Sequence, residues 1–139
     1  MKIAPKGSHG PSSKALDLCD TPALAHTLDT LQPARVINCA ALTDVDGCEA
    51  DPNRAFEVNG SAVGRLAALC SERNIQLCQI STDYVLRGSD PLTENQPYDP
   101  VNTYGESKAL GEQLCLETNP DHLVVRVQWL FGGGQGDFV

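Results

Sequence analysis

Tyr104 stands four residues ahead of Lys108 in the segment Tyr-Gly-Glu-Ser-Lys. On a helix that spacing places a phenol and an ammonium one turn apart on the same face. A phenol with a pKa near 10 is a weak acid at neutral pH, and a cation a few Å away favours the phenolate and lowers that value. Thr82 adds a hydroxyl at the end of an apolar run that closes with Ser81-Thr82-Asp83-Tyr84. Together the three groups could hydrogen-bond one substrate oxygen, protonate it and relay a proton outward. A Tyr four residues before a Lys is weak evidence by itself, so the elements that must carry the three groups decide its worth.

Those elements alternate. Asp20 or Thr21, with Pro22 at the first helical position, opens a helix to about Gln32, and Leu24, Leu28 and Leu31 recur at helical spacing. Arg35 to Ala41 is a near-continuous apolar run, expected as a strand buried on both faces of a parallel sheet. Leu42 to Ala50 reads as an acidic loop, its carboxylates Asp44, Asp46 and Glu49 solvated and Thr43 able to reach a ligand. Asp51-Pro52 begins a helix to about Arg73, with Ala55, Val58, Ala62, Leu66 and Leu69 on its buried stripe and Asn59 among them as a core amide. Gln76 to Ser81 is the next strand. Leu86 to Thr103 has three prolines and no helical period, a length that marks functional or disordered loops. The helix from about Tyr104 to Thr118 and the strand Leu123 to Val127 complete the pattern, followed by Trp129-Leu130-Phe131 and a glycine-rich stretch. No Lys-Ser or Lys-Thr follows those glycines, so they do not form a nucleoside-triphosphate loop.

Strands alternating with helices imply right-handed crossovers and an α/β fold: a Rossmann-like parallel sheet with helices on both faces and ligands beyond the strand C-termini. Ala40-Ala41, Ser81-Thr82 and Val127-Gln128-Trp129 fall at those ends. The N-terminal βαβ unit reads as incomplete. Residues 1–14 form an irregular segment after a three-residue strand at Lys2 to Ala4, and Gly7 and Gly10 keep the first two glycines of a G-x-x-G-x-x-G turn, with Ser13 in place of the third. Pro11 and then Asp17 to Asp20 arrive too soon for a helix and a second strand, so phosphate turn and flexible tail both stay open. Residues 15–139 read as one domain.

The chain of 139 residues carries a formal net charge of −8, which argues against a nucleic-acid groove or an anionic membrane surface as partner. Hydrophobic residues make up 41% but aromatic ones only 5%, so the core should be Ala, Val, Leu and Ile. No apolar run approaches the roughly 20 residues of a bilayer span, and no signal-peptide apolar region opens the chain; a cytoplasmic location is expected. Six cysteines without a C-x-x-C pair read as buried small hydrophobes in a reducing compartment, and the scattered His9, His26 and His122 suggest no metal site.

Val36-Ile37-Asn38-Cys39-Ala40-Ala41, Asn59, Ser81-Thr82-Asp83-Tyr84-Val85 and Tyr104-Gly105-Glu106-Ser107-Lys108 with Gly111-Glu112 jointly resemble the dTDP-4-dehydrorhamnose reductases, in the extended branch of the short-chain dehydrogenases and reductases. The likeness runs from Ala15 to Val139 and includes Arg126, Trp129 and Phe138-Val139. It implies NADPH- or NADH-dependent reduction of the 4-keto group of a dTDP-sugar, dTDP-4-dehydrorhamnose to dTDP-rhamnose, in nucleotide-sugar and cell-surface polysaccharide biosynthesis. By that resemblance Tyr104 is the proton donor, Lys108 lowers its pKa and holds the nicotinamide ribose, and Thr82 replaces the usual Ser beside the developing alkoxide. Gly7 and Gly10 would belong to the phosphate turn, Asp17 and Leu18 would lie against the adenine, Ala40, Ala41 and Thr43 along the cofactor, and Ile80 near its ribose. Thr82, Asp83, Tyr84 and Trp129 would face the sugar nucleotide.

The chain also departs from that family. The glycine turn is clipped, the first helix and second strand are missing, and the chain stops at Val139 where the family continues into a substrate domain. The missing strand carries the residue that reads the ribose 2′ position, so NADP and NAD both remain open. Uncovered sheet edges and apolar surface predict marginal stability or self-association, for instance as a homodimer. Two other functions fit the same residues: a non-catalytic truncated or regulatory reductase-like module, and a nucleotide-sugar epimerase or dehydratase.

Overall fold

The computed structural model describes residues 7, 10–12, 14–88 and 91–128. Helix α1 (Thr21–Leu31) starts where Asp20 accepts the Ala23 N–H at 3.0 Å and has Pro22 in its first turn; it ends at Gln32, whose left-handed backbone lets its N–H return to the Leu28 carbonyl. Three parallel strands follow in the order β1 (Arg35–Asn38), β2 (Gln76–Thr82), β3 (Leu123–Val127), with β2 central. Between β1 and β2 lie the short helices α2 (Val45–Ala50) and α3 (Pro52–Phe56) and the longer α4 (Ala62–Glu72); α5 (Thr103–Thr118) connects β2 to β3.

The register decides which face is covered. Val36 pairs with Leu77 and Gln79 with Val124, so strand alternation puts Val36, Leu77 and Val124 on one face. These three pack with Leu24 and Leu28 of α1, Leu66, Ala67 and Cys70 of α4, and Cys115 of α5 in the main core. The three longest helices therefore share one face of the sheet. On the other face Ile37 is 65% and Leu123 51% exposed. The Rossmann-like parallel sheet expected from the alternation is present, and of its two helical layers the described residues supply one. Ile37 and Leu123 are apolar surface on this second face.

Four local expectations need correction. The strand after Pro33 ends at Asn38 rather than Ala41, and it is half exposed rather than buried on both faces, because it pairs only with β2 among the described residues. The acidic loop contains α2, capped by Asp44, which accepts the Gly47 N–H at 3.1 Å; six residues with a central glycine are too short a run to announce a period. Glu49 is an anchor and not merely a solvated carboxylate, as the site geometry below shows. The single helix expected from Pro52 to Arg73 is interrupted at Glu57–Ser61 by a π turn, in which the Ala62 N–H reaches back five residues to the Glu57 carbonyl.

The extra residue of that turn buries Asn59, which is 1% exposed. Its side chain accepts the Leu42 N–H at 2.8 Å and donates to the Leu42 carbonyl at 3.0 Å, as expected of a satisfied core amide. The six cysteines are free thiols, with Cys48, Cys70 and Cys115 buried and Cys39 exposed. His122 is structural: Nδ1 accepts the Leu77 N–H and Nε2 lies 3.2 Å from the Ala67 carbonyl, a pairing that requires the Nε2-protonated tautomer.

Helix α5 rests on the π turn so closely that a Cβ on Gly111 would meet the Asn59 carbonyl oxygen, a backbone atom, at 2.2 Å. A Cβ on Gly60 would instead meet the flexible end of Leu110 at 2.7 Å. Gly111→Ala is therefore expected to lower unfolding free energy by about 2 kcal/mol or more, and Gly60→Ala by less than about 1 kcal/mol, measured by urea denaturation. Equal losses would show that α5 can shift freely against the turn.

Candidate active site

Strand β2 ends in Ser81 and Thr82 and turns at once into a single 3-10 turn, Asp83–Val85. Thr82 accepts the Tyr84 N–H at 3.3 Å and donates to the Asp83 carboxylate at 3.2 Å. Helix α5 arrives against this turn with its N-terminus tied twice. Asn102 accepts the Gly105 N–H at 2.8 Å, and the Glu49 carboxylate receives both the N–H and the hydroxyl of Thr103, each at 2.8 Å. A carboxylate at that position also suits the positive end of the helix dipole. Gly105 permits the approach, since a Cβ there would stand 2.3 Å from the Tyr84 carbonyl oxygen. The Tyr104 ring consequently meets Tyr84 edge-on, with centroids 6.0 Å apart and planes at 76°.

One turn further along α5, Lys108 is only 4% exposed and its Nζ donates to the Ile80 carbonyl at 2.7 Å. The same carbonyl accepts the Gln79 side-chain amide at 2.8 Å, Gln79 accepts from Asn38 at 2.7 Å, and Asn38 accepts the Ala40 N–H at 3.1 Å. A continuous polar chain thus runs from the loop after β1 to Lys108. A second clamp runs beside it: Asn59, which holds Leu42, donates to the Ser107 hydroxyl at 3.0 Å, and Ser107 donates to the Tyr104 carbonyl at 2.8 Å.

Burial raises the Tyr104 phenol above its ordinary value, the Thr82 side chain works against that rise, and Cys48, Asp83 and Tyr84 add to it. Burial pulls Lys108 down to about 8, opposed by Glu112 and Cys39. The expectation was that the Lys108 ammonium lowers the Tyr104 pKa; here the ammonium donates to the Ile80 carbonyl and burial is the largest influence on the phenol. At neutral pH the site presents a protonated phenol, a hydroxyl at the strand end and a buried ammonium, which together can donate a proton to an oxygen and stabilise charge developing on it.

Tyr104 and Lys108 lie one turn apart on α5 beside the end of β2, where the Thr82 side chain reaches Tyr104 and Lys108 reaches Ile80; Ile80, Asp83 and Tyr84 border them half-buried. Ala40 and Thr43 are exposed and Ala41 is half-buried on the loop after β1, near the same sheet edge. Gly7 and Gly10 are exposed with open space where a Cβ would stand. Asp17 is exposed and accepts the Cys19 N–H at 2.9 Å. Leu18, expected beside an adenine, instead turns its side chain into the core at 8% exposure, because the segment before α1 closes over Leu24 and Leu28. Trp129 and Ser13 lie outside the described residues. Spacing assigns no contact to Asn38 or Gln79 and marks Glu49 only as a solvated acid; a polar residue inside an apolar strand is the signal for the first two.

A protein-family model described as RmlD substrate binding domain matches residues 2–139. The dTDP-4-dehydrorhamnose reductase of Streptomyces griseus is 42% identical over 127 residues, covering 89% of this chain and 42% of that protein. A probable low-salt glycan biosynthesis reductase of Haloferax volcanii is 43% identical over 124 residues, covering 88% of this chain and 41% of the relative. Among solved structures, dTDP-4-dehydrorhamnose reductase from Bacillus anthracis in complex with NADP superimposes with a TM-score of 0.88 at 31% identity, over 94% of this chain and 47% of that one. The chain thus spans less than half the length of these relatives.

The buried ammonium makes a testable demand on stability. A lysine at about 8 in the folded state and near 10.5 unfolded binds fewer protons when folded, so its burial penalty is full below pH 8 and relaxes as pH rises from 8 towards 10.5. Lys108→Met is expected to raise unfolding free energy at pH 7 by about 2–3 kcal/mol, a gain that shrinks above pH 8, followed by denaturant melts across that range. A gain that does not change with pH would overturn the assignment.

Proposed function

The chain belongs to the RmlD substrate binding domain family, and from that premise we propose that it carries the catalytic groups of an NAD(P)H-dependent reductase acting on the 4-keto group of a dTDP-sugar, with dTDP-4-dehydrorhamnose as substrate. The observation that carries this reading is the convergence of Thr82, Tyr104 and Lys108 at the C-terminal end of the central strand, with Tyr104 held protonated by burial.

The residues present suit the nicotinamide-ribose half of such a cofactor. Lys108 has three N–H donors and makes one hydrogen bond among the described residues, which leaves donors for ribose hydroxyls. Ala40 and Ala41 offer only methyl groups on the loop after β1, so a flat ring system can approach the backbone. When bound, the reduced cofactor would supply a hydride to the carbonyl carbon. Tyr104 then donates its phenolic proton to the carbonyl oxygen, while the Thr82 hydroxyl, its one proton turned from the Asp83 carboxylate, donates a hydrogen bond to that oxygen as negative charge grows. Lys108 offers a cation near the phenolate left behind. Asp83 and Tyr84, on the turn beside Thr82, border the space where the sugar would lie.

A second reading, a reductase-like module without turnover, is favoured by one observation: Ile37 and Leu123 leave the second face of the sheet open. Incubating the chain with NADPH and dTDP-4-dehydrorhamnose under single-turnover conditions separates the two. Absorbance loss at 340 nm supports the reductase; neither oxidation nor saturable NADPH binding supports the module. Tyr104→Phe is expected to cut turnover about 10³-fold with NADPH affinity changed less than about twofold. Parallel loss of both would assign Tyr104 a structural role.

A further inference from the structure

Helix α5 carries a second buried charge that the site described above does not use. Glu112 lies one turn beyond Lys108 and is 1% exposed. Its carboxylate is held by Arg126 of β3, with Nε at 3.1 and 3.0 Å from its two oxygens and Nη2 at 2.7 Å. Tyr98, on the long segment before α5, donates its hydroxyl to the same carboxylate at 3.1 Å, and the Arg126 guanidinium sits 5.3 Å above the Tyr98 ring. Arg126 also donates to the Glu94 carbonyl at 3.2 Å. A carboxylate bound this completely cannot rotate away, so its charge stays one helical turn from Lys108.

We propose that Glu112 is a positioning residue: its carboxylate, fixed by Arg126 and Tyr98, keeps the buried Lys108 side chain protonated at the end of β2. The consequence for turnover rests on the reductase reading, whereas the charge state of Lys108 does not. Desolvation strips Lys108 of water, and its hydrogen bond to the Ile80 carbonyl restores only part of what is lost. Glu112 is the largest influence opposing that burial, ahead of Cys39 after β1. The other titratable or charged groups near the site are Tyr104 on the same helix, Asp83 after β2, Cys48 and Glu49 of α2, and Arg126 of β3. Of these, Arg126 is a cation and by charge alone should act on Lys108 in the opposite sense to Glu112, which makes the pair separable by mutation.

The sequence makes a direct measurement practical. Its four lysines are Lys2, Lys6, Lys14 and Lys108, so the Lys108 side-chain resonance in 13C-lysine-labelled protein is assignable by comparison with Lys108→Met. In the unmodified chain the Lys108 titration is expected near pH 8. Glu112→Gln should move the midpoint down by about one pH unit, Arg126→Gln should move it up, and Arg126→Lys, which keeps the charge, should leave it within about 0.3 unit. The double variant Glu112→Gln/Arg126→Gln should fall between Glu112→Gln and the unmodified chain. Should Glu112→Gln fail to fold, the opposed behaviour of Arg126→Gln and Arg126→Lys decides the matter. Midpoints that stay fixed, or that move the same way in Glu112→Gln and Arg126→Gln, overturn the proposal and leave the cluster a structural tie. Absence of NADPH oxidation by the unmodified chain would remove the reductase reading and leave this titration interpretable.

Discussion

How closely α5 can approach the backbone of its neighbours is the constraint on which the rest of the structure depends. Two glycines set it: Gly105 lies against the Tyr84 carbonyl and Gly111 against the Asn59 carbonyl, both nearer than any side chain would allow. With the helix seated at those two points, Tyr104 and Lys108 are fixed in height and rotation relative to the end of β2. Interiors are close-packed, so a helix held at two backbone contacts six residues apart has little freedom to turn. The glycines give no chemistry of their own. Their effect is to place groups that do.

Around that contact the site is built from buried polar groups that would be costly if left unpaired. Asn38, Gln79 and the Ile80 carbonyl form one chain to Lys108; Asn59 and Ser107 form another to the backbone of Tyr104. Each begins in the segment from Asn38 to Leu42, so the loop after β1 and the helix carrying the phenol cannot move independently. The π turn belongs to this logic. Its extra residue delivers the Asn59 amide to Leu42 and Ser107 while the helix on either side keeps its apolar face on the core.

Charge placement follows burial more than proximity. Lys108 and Tyr104 sit one turn apart, yet desolvation dominates both, raising the phenol and lowering the amine. Spacing alone does not locate the lysine's cation, because sequence reveals which residues share a helix face and not where a four-carbon side chain ends. In the folded chain it ends on a main-chain carbonyl. Thr82 is the neighbour that opposes the rise of the phenol.

Much of this protein was legible before any coordinates. Alternating apolar runs and helical periods located α1, the three strands, α5 and the helical stretch after Asp51, since burial on one side of an element imprints its period on the residues that face inward. The Tyr-Gly-Glu-Ser-Lys segment and the Ser-Thr-Asp-Tyr turn identified the candidate chemistry and its lineage. Tertiary structure decided what depends on partners distant in sequence. It put the longest helices on a single face of the sheet, turned Leu18 into the core, made the exposed Glu49 the anchor of α5, and enclosed Glu112 with Arg126 and Tyr98. The roles of Glu49 and Glu112 rest on pairings between residues 14 to 54 positions apart, where the energy belongs to the pair and neither residue alone carries a readable signal.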